Sequence, residues 1–177
     1  MGYIGPVLMS ALKEKGYDVI GYDSGYFADN LLEEINEDYL QITKDIRDIT
    51  KKDLAGIDTI IHLAGLSNDP LGEFSPKLTE DINYIGTMQL AEMAKDVGVS
   101  RFVYASSQSM YGVSDTSSEL DEDNSEKNPV TAYAIAKWNA EQQLHSMITD
   151  DFVVTSLRPS TVFGASPRLR CDIVFNN

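Results

Sequence analysis

The sequence alternates short apolar runs with helical stretches from one end to the other, and this alternation limits the possible folds more than any other feature. Several of the apolar runs are uninterrupted, as buried strands covered on both faces tend to be. The runs span residues 18–22, 39–42, 59–63, 101–105 and 152–157. Helical patterns occupy residues 5–15, 76–97 and 130–148. Strands and helices in this order predict an α/β fold with a parallel sheet and right-handed crossovers.

Proline and glycine mark the ends of the predicted helices. Pro6 falls in the first turn of the first helix and Gly16 closes it, while Pro129 precedes the third helix. The acidic, polar segment 114–128 is predicted to be a surface loop. Because no internal repeat or linker interrupts the 177 residues, we expect a single domain.

Charge and rare residue types argue against several kinds of partner and site. A net charge of −14 disfavours nucleic acid and anionic membrane surfaces, which attract basic patches. Cys171 is the only cysteine, so an internal disulfide is impossible and we expect a cytoplasmic location. His62 and His145 lie far apart without acidic or thiol residues at ligand spacing, so we expect no metal. His62 lies inside an apolar run and is predicted to be a buried strand histidine.

The start of the chain is a candidate dinucleotide site. Gly2, Tyr3, Ile4 and Gly5 open the first helix, and glycines let the backbone approach a pyrophosphate held at a helix N-terminus. Two glycines at this spacing are also typical of an ordinary turn. Asp23 lies 18 residues after Gly5, just past the next strand, where an acid hydrogen-bonds the adenosine ribose and disfavours a phosphorylated ribose. This spacing favours NAD over NADP, with an exposed loop aspartate as the alternative.

Residues after two further strands fit the same cofactor. Asp45 and Ile46 follow the strand at 39–42 and are candidates to flank the adenine, although Asp45 is equally typical of a solvated turn. Leu63, Ala64 and Gly65 end the next strand with small residues, as a backbone lying against the cofactor requires.

The strongest candidate site combines a serine-rich strand end with a Tyr-x-x-x-Lys pair. Tyr133 and Lys137 are four residues apart and share one helix face. Bringing the pKa of a tyrosine from about 10 toward neutrality takes roughly 4 kcal/mol, which the ammonium and a cationic nicotinamide can supply jointly. Ser107 would hold the reacting hydroxyl by a hydrogen bond. Such a pair alone is common on surface helices, but the 26-residue gap from Ser107 to Tyr133 and the preceding Pro129 favour a general acid/base.

These motifs resemble those of the extended short-chain dehydrogenases/reductases, in particular the nucleotide-sugar epimerase/dehydratase family. The similarity covers nearly all 177 residues. Its segments are Gly-Tyr-Ile-Gly at 2–5, His-Leu-Ala-Gly at 62–65, Asn83 with Gly86-Thr87, Ser-Ser-x-x-x-Tyr-Gly at 106–112, Tyr133 with Lys137, Leu-Arg-Pro at 157–159 and Val-Phe-Gly at 162–164. The resemblance implies a Rossmann-type doubly wound sheet, tightly held NAD and a nucleotide-diphosphate sugar as substrate.

The resemblance also implies roles for individual residues. Ser107, Tyr133 and Lys137 match the catalytic positions, and the first two would also contact the sugar. Asn83 and Pro159 match cofactor-side positions, and Asn177 resembles an asparagine that contacts substrate. The helices at 76–97 and 130–148 correspond to those that pair across a homodimer in the family, with an intramolecular contact as the alternative.

The chain departs from the family pattern at its start. The first glycine of the family's Gly-x-x-Gly-x-x-Gly turn is absent, and so is the strand before it, which lies at the centre of the family's sheet. We therefore expect residues 1–177 to be a fragment that is not necessarily active alone. It would be a partial NAD-binding Rossmann domain lacking its first strand, with the substrate-binding region beginning near residues 165–177.

The residues after Ser107 indicate which reaction to expect. Sugar 4,6-dehydratases of the family carry an Asp-Glu pair there, whereas this chain has Gln108 and Ser109, which cannot serve as acid and base at neutral pH. We therefore expect a UDP-glucose 4-epimerase-like isomerase that acts through a transient keto sugar. A dehydratase, reductase or decarboxylase of the same family is the alternative, and a non-catalytic dinucleotide sensor is a further one.

Overall fold

The computed structural model pairs all of its strands in parallel among the residues that it describes, which are 2–32, 40–67, 69–113 and 119–170. Strand β1 (Ile20–Asp23) pairs with β2 (Leu40–Thr43), and Ile20 lies opposite Leu40. Strands β3 (Thr59–His62), β4 (Arg101–Ala105) and β5 (Val153–Leu157) form a second sheet in that order. These strands start and end within two residues of the predicted ones.

Helices fill the connections from β3 to β4 and from β4 to β5. Helix α1 (Gly5–Glu14) precedes β1, and α5 (Ala132–Ser146) joins β4 to β5. Between β3 and β4 lie α2 (Asp69–Phe74), α3 (Pro76–Glu80), a π-helical turn (Asp81–Gly86) and α4 (Thr87–Asp96). Because helices connect parallel strands, the predicted α/β fold is confirmed.

Two features of the helices differ from the prediction. Helix α2 was not expected, since Pro70 and Gly72, both within it, interrupt any helical pattern there. The helix predicted at 76–97 contains the π-helical turn, which inserts an extra residue per turn and no periodicity rule anticipates. The described part of the predicted loop, residues 119–128, contains neither helix nor strand.

The described residues fall into two units, one formed by residues up to 49 and from 161 on, the other by residues 50–160. In the first unit the segment after Thr161 contacts the start of α1. The hydroxyl of Tyr3 donates to the carbonyl of Gly164 at 2.6 Å, and that of Ser166 donates to the carbonyl of Tyr3 at 2.7 Å. Residues 165–170, predicted to begin the substrate-binding region, thus belong to the unit that contains β1 and β2.

The core of the second unit lies between its sheet and α5. Phe102 and Tyr104 on β4, Leu144 on α5, and Phe152 are at most 1% exposed. Burying a side chain of this size stabilises a fold by about 1.5–3 kcal/mol, so these contacts fix α5 against the sheet. No described helix is long and apolar enough to cross a membrane.

Candidate active site

The first turn of α5 is held in place at three points. The hydroxyl of Thr131 accepts from the backbone N–H of Ala134 at 3.1 Å, and a carboxylate oxygen of Glu73 accepts from that of Ala132 at 2.7 Å. Gly72 packs closely on Tyr133, because a Cβ added there would lie 3.2 Å from the Tyr133 Cβ. Residues of α2 therefore contact the first two residues of α5 and help to fix the position of Tyr133.

Lys137 lies one turn after Tyr133 and is only 4% exposed. Its ammonium donates to the carbonyl of Ala105 at 2.8 Å, at the carboxyl end of β4. The same nitrogen lies 6.0 Å from the ring centre of Tyr133 and 4.9 Å from that of Tyr104. Burial lowers the pKa of Lys137 from 10.5 to about 8, because a low-dielectric surrounding disfavours the ammonium. Tyr133 and Lys137 thus share a helix face beside the strand end.

Ser107 lies two residues after the end of β4 and is buried. Its hydroxyl accepts from the backbone N–H of Ser109 and contacts the Ser109 hydroxyl, both at 3.1 Å. The backbone N–H of Gln108 donates to the carbonyl of Pro159 at 3.2 Å, which continues the β4–β5 pairing beyond the strands. Ser107, Lys137 and Tyr133 are therefore all attached to the carboxyl end of the same sheet, as expected for a site in an α/β fold.

Asn83 fastens the loop after β3. Its side-chain amide accepts from the backbone N–H of Leu66 at 2.8 Å and donates to the Leu66 carbonyl at 2.9 Å. A Cβ on Gly65 would lie 2.8 Å from the Asn83 amide oxygen, so only glycine fits at that position. Leu63 and Ala64 lead into this loop and are half-buried. Asn83 thereby shapes the segment that the sequence assigned to the cofactor.

His62 lies beneath the site, at the end of β3. It is 3% exposed, its Nε2 hydrogen-bonds the Thr87 hydroxyl at 2.8 Å, and its ring stacks on Tyr104 at 5.9 Å. Burial and the charge of Lys137 lower its pKa from 6.5 to about 3. The prediction of a buried strand histidine is confirmed.

The first unit contains the glycines predicted to bind the dinucleotide. Gly2 and Gly5 flank Tyr3 and Ile4, and Gly5 is the first residue of α1. No side chain caps this helix start. Tyr3 is buried and Ile4 is exposed. A carboxylate oxygen of Asp23 accepts from the backbone N–H of Gly25 at 2.7 Å, which fixes the turn after β1.

Asp45 has a local structural role in the same unit. Its carboxylate caps a 3-10 turn (Ile46–Asp48) and pairs with the Arg47 guanidinium at 2.7 and 2.9 Å. These contacts lower the pKa of Asp45 below its usual range. Ile46 is buried. The solvated-turn alternative describes Asp45 well, and its cofactor role stays a prediction, as does that of Ile46.

Arg158 and Glu141 form a buried ion pair that the sequence reasoning missed. Two guanidinium nitrogens of Arg158 donate to one Glu141 oxygen at 2.6 and 2.9 Å, and the Glu141 side chain is 2% exposed. The signal available was Arg158 within Leu-Arg-Pro, but nothing in the sequence identifies its partner on α5. Asn177 lies outside the described residues. Among those described, no group of three or more His, Cys, Asp or Glu side chains could hold a metal ion.

The fold is a parallel α/β fold. Near the carboxyl end of a strand, a buried Lys lies one helical turn from a Tyr. Together these features define the dehydrogenase/reductase class suggested by the motifs. The NAD dependent epimerase/dehydratase family matches residues 1–174. The chain belongs to this family, whose cofactor is NAD.

Individual relatives agree with this assignment. A UDP-glucose 4-epimerase of Mycolicibacterium smegmatis is 31% identical over 176 residues, which cover 92% of this chain and 54% of that protein. A probable UDP-glucuronate 4-epimerase of Rhizobium meliloti is 29% identical and covers 92% and 51%. The chain thus spans about half the length of the curated relatives that it matches.

Solved structures agree with the fold. MoeE5 in complex with UDP-glucose and NAD superposes with a TM-score of 0.82 at 27% identity, covering 99% of this chain and 56% of that one. The UDP-glucuronic acid 4-epimerase of Bacillus cereus in complex with NAD gives a TM-score of 0.80 at 26% identity, with coverages of 99% and 58%. The expected Rossmann-type fold is confirmed.

Proposed function

We propose that the protein is an NAD-dependent epimerase of a UDP-sugar, with Tyr133 as its general acid/base. The observation that carries the proposal is the buried ammonium of Lys137, which faces the Tyr133 ring at 6.0 Å and is anchored to the strand end that leads into Ser107. The 4-epimerases among the relatives, and the neighbour solved with UDP-glucose and NAD, support a UDP-sugar as the substrate class.

The residues present suit NAD in each unit taken by itself. In the first, the uncapped start of α1 beside Gly2 and Gly5 would hold the pyrophosphate, and Asp23 would hydrogen-bond the adenosine ribose. In the second, Gly65 packs against the Asn83 side chain without a side chain of its own, and the cofactor would lie against this loop. When bound, NAD would supply reversible hydride chemistry at the sugar carbon.

The side chains of the chain would perform the proton transfers. Tyr133 removes the proton from the sugar hydroxyl and gives it back after the keto sugar has turned. Lys137 stabilises the phenolate electrostatically, and its charge acts strongly because it is buried. Ser107 orients the reacting hydroxyl by a hydrogen bond. Net redox change is zero, because the sugar is oxidised and then reduced again.

The residues after Ser107 favour epimerisation over water loss. Ser109 is engaged with the Ser107 hydroxyl, and Gln108 is exposed and has no ionisable group. A dehydratase needs an acid and a base at these positions, so the family alternative with the least support from this chain is the dehydratase.

Turnover of a UDP-sugar by the natural gene product tests the proposal. We expect NMR to show conversion of UDP-glucose or UDP-glucuronate to its 4-epimer without net accumulation of reduced nicotinamide. Tyr133→Phe should lower kcat by roughly 10²–10⁴-fold and leave bound NAD unchanged. Tyr84→Phe, which removes a half-buried hydroxyl on the π-helical turn, is the matched control and should stay within about twofold of wild type.

Three outcomes would refute it. Accumulating reduced cofactor would indicate a dehydrogenase, a dehydrated product would indicate a dehydratase, and NAD binding without any turnover would indicate a sensor.

We further propose a homodimer built on the helices at 76–97 and 130–148. Within the chain these helices already contact each other, since Lys95 donates to the carbonyl of Met147 at 2.7 Å. Leu78, Ile85 and Ile135 remain 41–42% exposed on them and could bury against a second copy. Sedimentation of the natural gene product would distinguish dimer from monomer. The cytoplasmic location stays a prediction.

A further inference from the structure

Arg158 connects three segments of the second unit that are far apart in sequence. Besides its two bonds to Glu141 on α5, one guanidinium nitrogen donates to the Tyr111 hydroxyl at 2.8 Å and to the Glu122 carbonyl at 2.6 Å. The guanidinium also lies 5.7 Å from the ring centre of Tyr111 and 5.9 Å from that of Trp138. Arg158 itself follows the last residue of β5. One side chain therefore joins a helix, a strand end and two loops.

Each of these segments is close in sequence to a candidate catalytic residue. Glu141 lies on the same face of α5 as Lys137 and Tyr133, at steps of four residues. Tyr111 ends the 3-10 turn that begins directly after Ser107. A shift of Tyr111 would thus move the Ser107 turn, and a shift of Glu141 would move the helix face that presents Tyr133.

The chemistry of the connection favours a rigid link. A buried carboxylate is costly unless it is paired, and removing its partner leaves an uncompensated charge. A guanidinium has five donors in a fixed plane, so it can hold Glu141, Tyr111 and the Glu122 carbonyl at once, which a lysine cannot do. The pKa of Arg158 is raised by these bonds, so the charge persists at any physiological pH.

We propose that Arg158 is a positioning residue that sets the separation between Ser107 and Tyr133 by bonding Tyr111 and Glu141 simultaneously. The inference rests on the proposed function only for its kinetic consequence. Hydroxyl orientation and proton transfer require both side chains within hydrogen-bond reach of one sugar hydroxyl. A displacement of about 1 Å costs up to about 10²-fold in rate.

Variants of the natural gene product test this role. Arg158→Met should lower kcat about 30–100-fold, whereas Arg158→Lys, which keeps the charge but cannot reach all three acceptors, should recover part of that loss. The KM for the UDP-sugar and the bound NAD should change less than about twofold in both. Lys51→Met is the matched control, since it breaks an ion pair of similar length, 2.8 Å, that is about 60% exposed, and its kcat should match wild type.

A double variant separates positioning from stability. Glu141→Met combined with Arg158→Met replaces the buried pair by apolar groups, so its Tm should return close to that of wild type. Its kcat should stay low, because Tyr111 and the Glu122 carbonyl still lack their donor. A double variant with wild-type kcat would overturn the proposal, and so would a single Arg158→Met variant whose loss lies in KM or NAD content.

Crystal structures make the test independent of the reaction. The Cα separation of Ser107 and Tyr133 should change by about 1 Å in the double variant relative to wild type. An unchanged separation would overturn the positioning role even if the enzyme proved to catalyse another reaction. Conversely, a wild-type protein that converts no UDP-sugar would refute the proposed function and leave this structural comparison intact.

Discussion

Lys137→Met should stabilise the protein while removing its proposed activity. A lysine pKa lowered by burial from 10.5 to about 8 corresponds, at about 1.4 kcal/mol per pKa unit, to roughly 3 kcal/mol of unfavourable free energy at pH 7. Methionine has a similar length and no charge. The Ala105 carbonyl loses its 2.8 Å donor, which costs about 1–2 kcal/mol. A net stabilisation of about 1–2 kcal/mol remains, equivalent to a rise in Tm of roughly 2–8 °C.

The dependence on pH makes this prediction specific. Below pH 8 the lysine is protonated in both folded and unfolded chains, so the penalty is complete. As pH rises from about 8 to 10.5 the folded protein loses the proton first, and the advantage of the variant disappears. Urea unfolding of the NAD-free wild type and variant at pH 7 and pH 10 measures the difference in free energy of unfolding where it should be largest and where it should have largely disappeared.

A matched variant controls for the general effect of losing a surface cation. Lys95→Met also removes an ammonium bonded to a carbonyl, at 2.7 Å, but from a half-buried position. Its free energy of unfolding at pH 7 should not rise as that of Lys137→Met does. If Lys137→Met destabilises the protein at pH 7, or if its gain persists at pH 10, the assignment of Lys137 as a buried, unpaired ammonium is wrong.

Two further substitutions test how the site is supported. Gly72→Ala would bring a Cβ to 3.2–3.3 Å from the Cβ and backbone nitrogen of Tyr133, and we expect the displaced helix start to lower kcat about tenfold with NAD content unchanged. His62→Asn should weaken the dependence of the free energy of unfolding on pH in the acid range. Because the pKa of His62 is about 3 in the folded protein, the unfolded chain takes up a proton first as pH falls below 6.5. The wild-type protein therefore loses up to about 1.4 kcal/mol of stability per pH unit there. Tm measured at pH 7 and pH 5 for wild type and variant checks this, and parallel slopes would contradict it.

The elements that the sequence predicted well are those whose signals are local. Strand β4 was placed at its observed bounds, because Arg101–Ala105 is a short apolar run between a glycine-containing turn and a serine-rich end. Helix α5 was placed within two residues at each end, helped by Pro129, and the structure adds a Thr131 cap that the sequence analysis did not use. Helix α2 was missed, since its six residues include Pro70 and Gly72 and it is held by packing against Tyr133 rather than by propensity.

In the candidate site, too, local features were predictable from the sequence, whereas contacts between distant residues were not. The spacing of Tyr133 and Lys137 is a local helical signal, and their common face was predictable. The contact of Lys137 with Ala105 and the pairing of Glu141 with Arg158 join residues 32 and 17 positions apart, and no sequence periodicity specifies such pairs. From the sequence, Glu141 is one more charge on a helix of an acidic chain. Only the fold shows that it is buried.

The two buried charged residues of α5, Glu141 and Lys137, differ in their partners, and this difference favours a chemical role for Lys137. Buried charged groups in proteins are normally paired, and Glu141 follows that rule with Arg158. Lys137, one turn earlier, forms no ion pair within the described ranges, and burial is the whole cause of its lowered pKa. In a chain with twice as many acidic as basic residues, a carboxylate partner would be easy to supply. Because Glu141 is paired with Arg158, that carboxylate does not form an ion pair with the ammonium. An uncompensated cost of this kind is expected where a charge serves a reaction.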